Sequence, residues 1–280
     1  MRIDPYPSVI ALVVCSLACT VPGFSQQSYY QQFRSRNVAM ADVQPTWMGP
    51  LIQSDARLSQ AVKVSVSYAN VTGGQVISYG NNHGVSLLGG QRFQLDINPP
   101  SYFQNHSTGM PDGFGNASTQ LKYRIASGNS EHGNFAVTAA LCRSFGGGYQ
   151  QNGMLTDAWF PKLLAGKAFG RFVVQSALNG VLPTGRIAEQ GRAIEWNSTA
   201  QLHANAHAYI DIENNLTWLA GGPDDGKTEN FVTPAGFLVV RRKSWEPTHA
   251  VVVFDAGMQI ATSSFHLYNH NLISELRILF

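Results

Sequence analysis

The sequence predicts an all-β chain: a transmembrane antiparallel β-barrel of about twelve strands behind an N-terminal signal peptide. Three observations predict it. Apolar and polar residues alternate along most of the chain, where side chains of an extended strand point to opposite faces. No stretch beyond the N-terminus carries a helical period over ten or more residues. The connections sort into a long set and a short set on opposite sides, which a soluble sandwich has no reason to produce.

Composition agrees. Only 13% of the 280 residues are charged, 27 are glycine, and mean hydropathy is near zero. That is too polar for a helical membrane protein and too weakly charged for an ordinary soluble enzyme, whereas alternating strands average to this value. With a formal net charge of +2, nothing suggests the clustered basic footprint that nucleic acid requires.

The chain opens with Arg2 and an apolar run from Val9 to Val21, followed by small residues and glutamines. This run is too short to span a bilayer and reads as a signal peptide over 1–25, cleaved after Ser25. Cys19 raises a lipoprotein reading, but Ser16 stands where that motif has leucine. Removal of the leader leaves Cys142 alone, so the exported chain has no intramolecular disulfide. Residues 26–61 are polar and aromatic without a period, a lead-in segment serving as a plug or a strap.

From residue 62 to 280 the alternation persists. Val64, Val66 and Tyr68 oppose Lys63, Ser65 and Ser67; Phe93, Leu95 and Ile97 oppose Gln94 and Asp96. Leu121, Tyr123 and Ile125 oppose Gln120, Lys122 and Arg124; Ile210, Ile212 and Trp218 oppose Asp211, Glu213 and Asn215. The expected strands fall near 62–70, 84–89, 91–98, 117–126, 134–145, 158–168, 171–182, 193–204, 208–220, 231–242, 249–262 and 270–280. Many reach the roughly 9–11 tilted residues that a hydrocarbon core requires. "PPSYFQNHSTGMPDGFG" is read as one of the long loops, and "RRKSWEPTH" is the one long connection on the short side.

Lipid offers no hydrogen bonds to stray backbone groups, so the strands must close into a barrel. The apolar face then meets acyl chains of the outer membrane, and the polar face lines the lumen. Arg92, Asp96, Lys122, Arg124, Asp211, Glu213, Asp255, Glu275 and Arg277 are the expected lumen-lining charges. Their mixed signs suit either a paired network or opposing rows that create a transverse field. Tyr68, Tyr79, Trp159, Trp196, Trp218, Trp245 and Phe280 are candidates for the interfacial aromatic girdles. Leu276, Ile278 and Phe280 share one face of the last strand, and that terminal pattern resembles the signal read by the barrel-assembly machinery.

Other constellations are weaker. His203 and His207 would lie about 13 Å apart on an extended chain, too far for one ion. Ser263 and Ser264 with His266 and His270 share one loop region, the residue types of a surface lipid hydrolase, but no carboxylate is spaced to orient either histidine. No metal or cofactor site is expected.

Several segments resemble a known family. "DGFGNASTQLKYRIASGNSEHGNFAVTAAL", "GVLPTG", "LAGGPDDGKTENFVTPAGF" and "HLYNHNLISELRILF" look like the outer-membrane β-barrel family named for the meta-pathway of phenol degradation, and its uncharacterised transporter-like relatives. Lys122–Tyr123–Arg124 and Pro183–Thr184–Gly185 carry the motif, while "LCRSFGGG" stands in place of a second Pro-Thr-Gly turn. The resemblance implies a channel for small solutes of hydrophobic or aromatic character, with no catalytic residues. A surface hydrolase and a closed structural or adhesion barrel are the alternatives, and a soluble β-sandwich is the outside case.

Overall fold

The computed structural model describes residues 33, 35–36, 39–40, 42–80, 83–107, 111–146, 152–241 and 250–280. The expected signal peptide, Cys19 and Trp245 lie outside the described residues. Fifteen β segments follow in order: β1 (Ala61–Val71), β2 (Gly74–Tyr79), β3 (Gly84–Leu88), β4 (Phe93–Asn98), β5 (Tyr102–Asn105), β6 (Gly113–Phe114), β7 (Ala117–Gly128) and β8 (Phe135–Phe145). Then come β9 (Ala158–Phe169), β10 (Phe172–Pro183), β11 (Arg192–His203), β12 (Ala208–Ala220), β13 (Thr228–Arg241), β14 (Val251–Ala261) and β15 (Tyr268–Leu279).

All pairings are antiparallel, and the ring closes where β15 pairs with β1 from Ala61↔Leu279 to Val71↔Tyr268. Three staves are each made of two segments. β2 and β3 both pair with β1, β5 and β4 continue that break on the next stave, and β6 with β7 on the third. The result is a closed barrel of twelve staves. No described helix is long and apolar enough to cross a membrane.

The split staves correct one expectation. Residues read as a long loop contribute β5 and β6, and the second stave begins at Gly74 rather than near residue 84. Pro99 and Pro100 cannot donate to a ladder, and Gly80 takes φ 93, so each stave bends at that level and resumes in a new register. Proline acts similarly elsewhere: pairing of β9 with β10 lapses beside Pro161, and pairing of β13 with β14 lapses beside Pro234.

The barrel is polar inside and apolar outside. Ile210 and Ile212 are each 56% exposed on β12, while the intervening Asp211 is 1% exposed. On β15 Leu272 and Leu276 face out, and Asn271, Glu275 and Arg277 are buried. The girdle candidates Tyr79, Trp159, Trp196 and Trp218 are exposed on the outer face. Tight turns such as Gly170–Arg171, where Gly170 has φ 62, close one end of the barrel. The turn at Thr72 and Gly73 and the connections that follow β5, β8, β10, β12 and β14 lie at the other. We call these the turn end and the loop end.

Candidate functional site in the lumen

Residues 44–58 have no regular structure, so their backbone groups need partners from elsewhere. The inward face of the barrel supplies them. Phe33 meets Phe280 edge-on at 5.9 Å, and Arg36 donates to the Leu88 carbonyl, so the segment starts at the turn end. Gln44 then pinches a loop: its amide donates to the Leu58 carbonyl at 2.6 Å and accepts from the Leu58 N–H at 3.0 Å. Between these two residues the chain climbs into the lumen and returns to β1.

The climb is held by long polar side chains of the wall. At the apex the Glu213 carboxylate accepts three successive amides, from Leu51 at 2.6 Å, Ile52 at 3.0 Å and Gln53 at 3.2 Å. Arg277 donates to the carbonyls of Gly49 at 2.9 Å and Pro50 at 2.8 Å, and is ion-paired with Glu275 at 2.6 Å and with Asp255. Lys122 donates to the carbonyls of Asp55 and Arg57, both at 2.7 Å. Gln175 reaches the Met48 carbonyl, Thr138 the Ala56 carbonyl and Gln94 the Ser59 N–H. Hydrogen bonds to a charged partner contribute about 1.5–3 kcal/mol each, so this seat is strong for a segment without secondary structure.

Apolar contacts complete it. Trp47 and Ala56 pack among Ala136, Ala140, Leu164 and Val173, small and apolar residues that leave room for the indole. Met48 and Leu51 pack against Tyr209, Phe237, Val253 and Ile273. Within the loop, Asp55 pairs with Arg57 at 2.7 Å. Burial alone would raise the Asp55 carboxyl, but Arg57 and Lys122 together outweigh it and hold it below its usual 3.8.

Eight of the nine expected lumen charges are buried inside the barrel. Asp96 accepts from Gln94 and Gln120, and Arg124 approaches the Met40 sulfur at the turn end. Asp211, Glu213, Asp255 and Glu275 gather with Arg277 on β12, β14 and β15, while Lys122 and Lys162 stand on β7 and β9. Arg92 is the correction. It precedes β4 in the turn, is exposed, and donates to the Tyr123 hydroxyl at 3.3 Å on the outer side. Alternation holds only within the ladder, and Arg92 lies beyond its end. No group of three His, Cys, Asp or Glu among the described residues has metal-binding geometry.

The loop leaves separate spaces in the lumen. Beside it lies a chamber of about 170 Å³, lined by Asp55, Arg57, Lys63, Asp96, Lys122, Lys162 and Arg277 among others, and adjoining a space of about 380 Å³ along Ser118, Cys142, Ser144 and Lys162. Above it, at the loop end, lies a vestibule of about 790 Å³ whose floor is Leu51 and Ile52. No charged side chain lines the vestibule among the described residues. Sequence reasoning missed Gln44, Gln94, Thr138 and Gln175 as seat residues, along with the vestibule itself. Alternation places Gln94 on the inward face, but nothing local shows what it bonds.

The hydrolase constellation does not assemble. His266 faces the Ser263 backbone carbonyl through Nδ1 at 2.9 Å and Asn269 through Nε2 at 3.0 Å. The Ser263 hydroxyl donates to the Phe265 carbonyl, and His270 is an exposed residue of β15 opposite Asn70. The Pro183–Thr184–Gly185 motif acts as a loop anchor: the Thr184 N–H and hydroxyl both bond the Asp157 carbonyl.

No family model and no curated protein matches the chain. Among solved structures, the NanC porin superposes with a TM-score of 0.53 at 8% identity, over 78% of this chain and 98% of that one. An outer membrane channel from Pseudomonas putida F1 superposes at 0.52 and 13% identity, over 84% of this chain and all of that one (100%). This chain has the outer-membrane barrel fold. At such identities the likeness is one of architecture, and substrate does not travel with it.

Proposed function

We propose that the chain is an outer-membrane channel for small solutes, narrowed at mid-lumen by the 44–58 loop. One observation carries the reading: a closed barrel with an apolar outer wall holds a loop in its lumen and keeps an open vestibule above it. A barrel serving only as a structural element has no use for that vestibule. Connections are longer at the loop end, apart from the turn at Thr72 and Gly73, than at the turn end, apart from 242–250, which orients the loop end outward, with the turn end and Phe280 toward the periplasm. The partners are then outer-membrane lipids around the wall and, during biogenesis, the assembly machinery that reads the Leu276, Ile278 and Phe280 terminus.

The motif resemblance supports solutes of hydrophobic or aromatic character, and the two superposed structures, a porin and an outer membrane channel by name, support passage in general. The hydrolase reading has no geometric support, because neither histidine addresses a serine hydroxyl. The test is planar-bilayer recording of the refolded mature protein beside a variant whose residues 45–57 are replaced by a short Gly-Ser joint. Small or brief steps from the intact protein and larger, steady steps from the variant are expected. Silence from both, with folding verified, would sink the channel.

A further inference from the structure

The vestibule differs from the rest of the lumen in a way that selects a ligand. Its volume of about 790 Å³ falls in the range of small-molecule sites. Its wall mixes apolar surface, from Val71, Val76, Phe103 and Ile273, with uncharged polar groups. Three of those groups are incomplete: the Asn105 Oδ1, on a half-buried residue, and two on residues almost wholly buried. The Ser78 hydroxyl and the Asn271 Oδ1 belong to residues only 3% and 4% exposed, and neither atom has a hydrogen-bond partner. They sit on β2 and β15, on either side of β1, Ser78 opposite Ser67 and Asn271 opposite Ala69, and both line the cavity. A buried polar atom left without a partner costs about 1–3 kcal/mol, and a ligand that supplies the partner recovers it.

We propose that the vestibule is a binding subsite for an uncharged molecule that joins an apolar face to hydroxyl or amide donors, with Ser78 and Asn271 reading those donors. The inference deepens the channel reading and rests on it, since the channel gives a reason for a site at the loop end. Oδ1 of Asn271 can only accept, so the ligand must donate there. An anion offers acceptors and finds no cation in the lining. A cation could donate but finds no carboxylate there. Glu213 lies beneath the floor with its oxygens held by backbone amides, and Glu229, buried on the inward face of β13 but outside the lining, has its carboxylate accepting from the Leu267 N–H at 2.6 Å. Either charge would therefore lose hydration without gaining a partner.

Calorimetry of the refolded full chain in a zwitterionic detergent tests this with a matched set: phenyl β-D-glucoside, phenyl β-D-glucuronide and phenyl 2-amino-2-deoxy-β-D-glucoside. The neutral glycoside is expected to bind at least about tenfold tighter than either charged analogue, a difference of about 1.4 kcal/mol. Ser78→Ala should weaken it several-fold. Asn271→Asp places a carboxylate in the wall and should turn the preference toward the amino sugar, a gain that misfolding cannot mimic. Equal binding of all three probes, no binding of the neutral one, or an unchanged preference in Asn271→Asp would overturn the subsite. Bilayer recording on the same preparation separates the two claims. Conduction without binding removes the subsite and leaves the channel; binding in a barrel silent with and without residues 45–57 removes the channel.

Discussion

The two halves of the lumen are built from the same alternating strands yet carry different side chains. Toward the turn end and around the 44–58 loop the wall presents glutamine, lysine, arginine and glutamate, and those side chains meet peptide groups of the loop. Around the vestibule the wall presents mainly serine, asparagine and apolar residues, with Gln259 and Tyr268 but no charge among the described residues, about open space. Long polar side chains can reach and satisfy a backbone that has no secondary structure, and short ones leave a cavity. The difference teaches that inward polarity has two uses in one barrel: clamping a peptide and facing a solute.

Breaking the clamp should have the largest effect. Glu213→Ala strands three amides in a buried setting and is expected to cost about 3–5 kcal/mol of unfolding free energy. Urea titration checks that, and red-shifted emission from Trp47, which is buried in the loop, would report release. A change on the opposite face should separate stability from clamping. Leu163→Arg puts a charge on the lipid side and should cost about 2–4 kcal/mol near the bilayer midplane, with the Glu213 bonds left intact.

Acid should loosen the same seat more gently. The Asp55 carboxyl titrates below its usual 3.8 when folded. Its contribution is therefore complete above about pH 4 and fades as pH falls through the lower folded value. Trp47 emission followed from pH 6 to pH 2 should shift only in the acid limb, and Asp55→Asn should blunt that shift. The smallest effect belongs to the rim. Arg143 pairs with Asp157 at 2.5 Å but is 42% exposed, so Arg143→Ala should cost about 1 kcal/mol or less and leave conductance unchanged.

Much of this fold is legible in the sequence, because alternation with lipid on one side leaves a strict period. Ile210, Ile212 and Trp218 face out and Asp211, Glu213 and Asn215 face in, as their spacing predicts. The number of staves follows from the same pattern. β2 and β5 escape it because glycine and proline interrupt their staves and leave six and four residues in register. The destination of residues 44–58 is illegible for a different reason. Leu51 bonds a carboxylate 162 residues away, and an irregular segment carries no periodic trace of such a partner. The vestibule is illegible likewise, since Ser78 and Asn271 lie far apart in sequence and come to line one cavity only through the closure of β15 on β1.

The 44–58 loop is held inside the lumen by the wall. Hydrogen–deuterium exchange of the refolded protein, read at the amides of Leu51, Ile52 and Gln53, tests that most directly. Protection comparable to that of the strands is expected, lost in Glu213→Ala while β8 to β11 stay protected. Exchange of these amides at the rate of an unstructured peptide in the unsubstituted protein would contradict it.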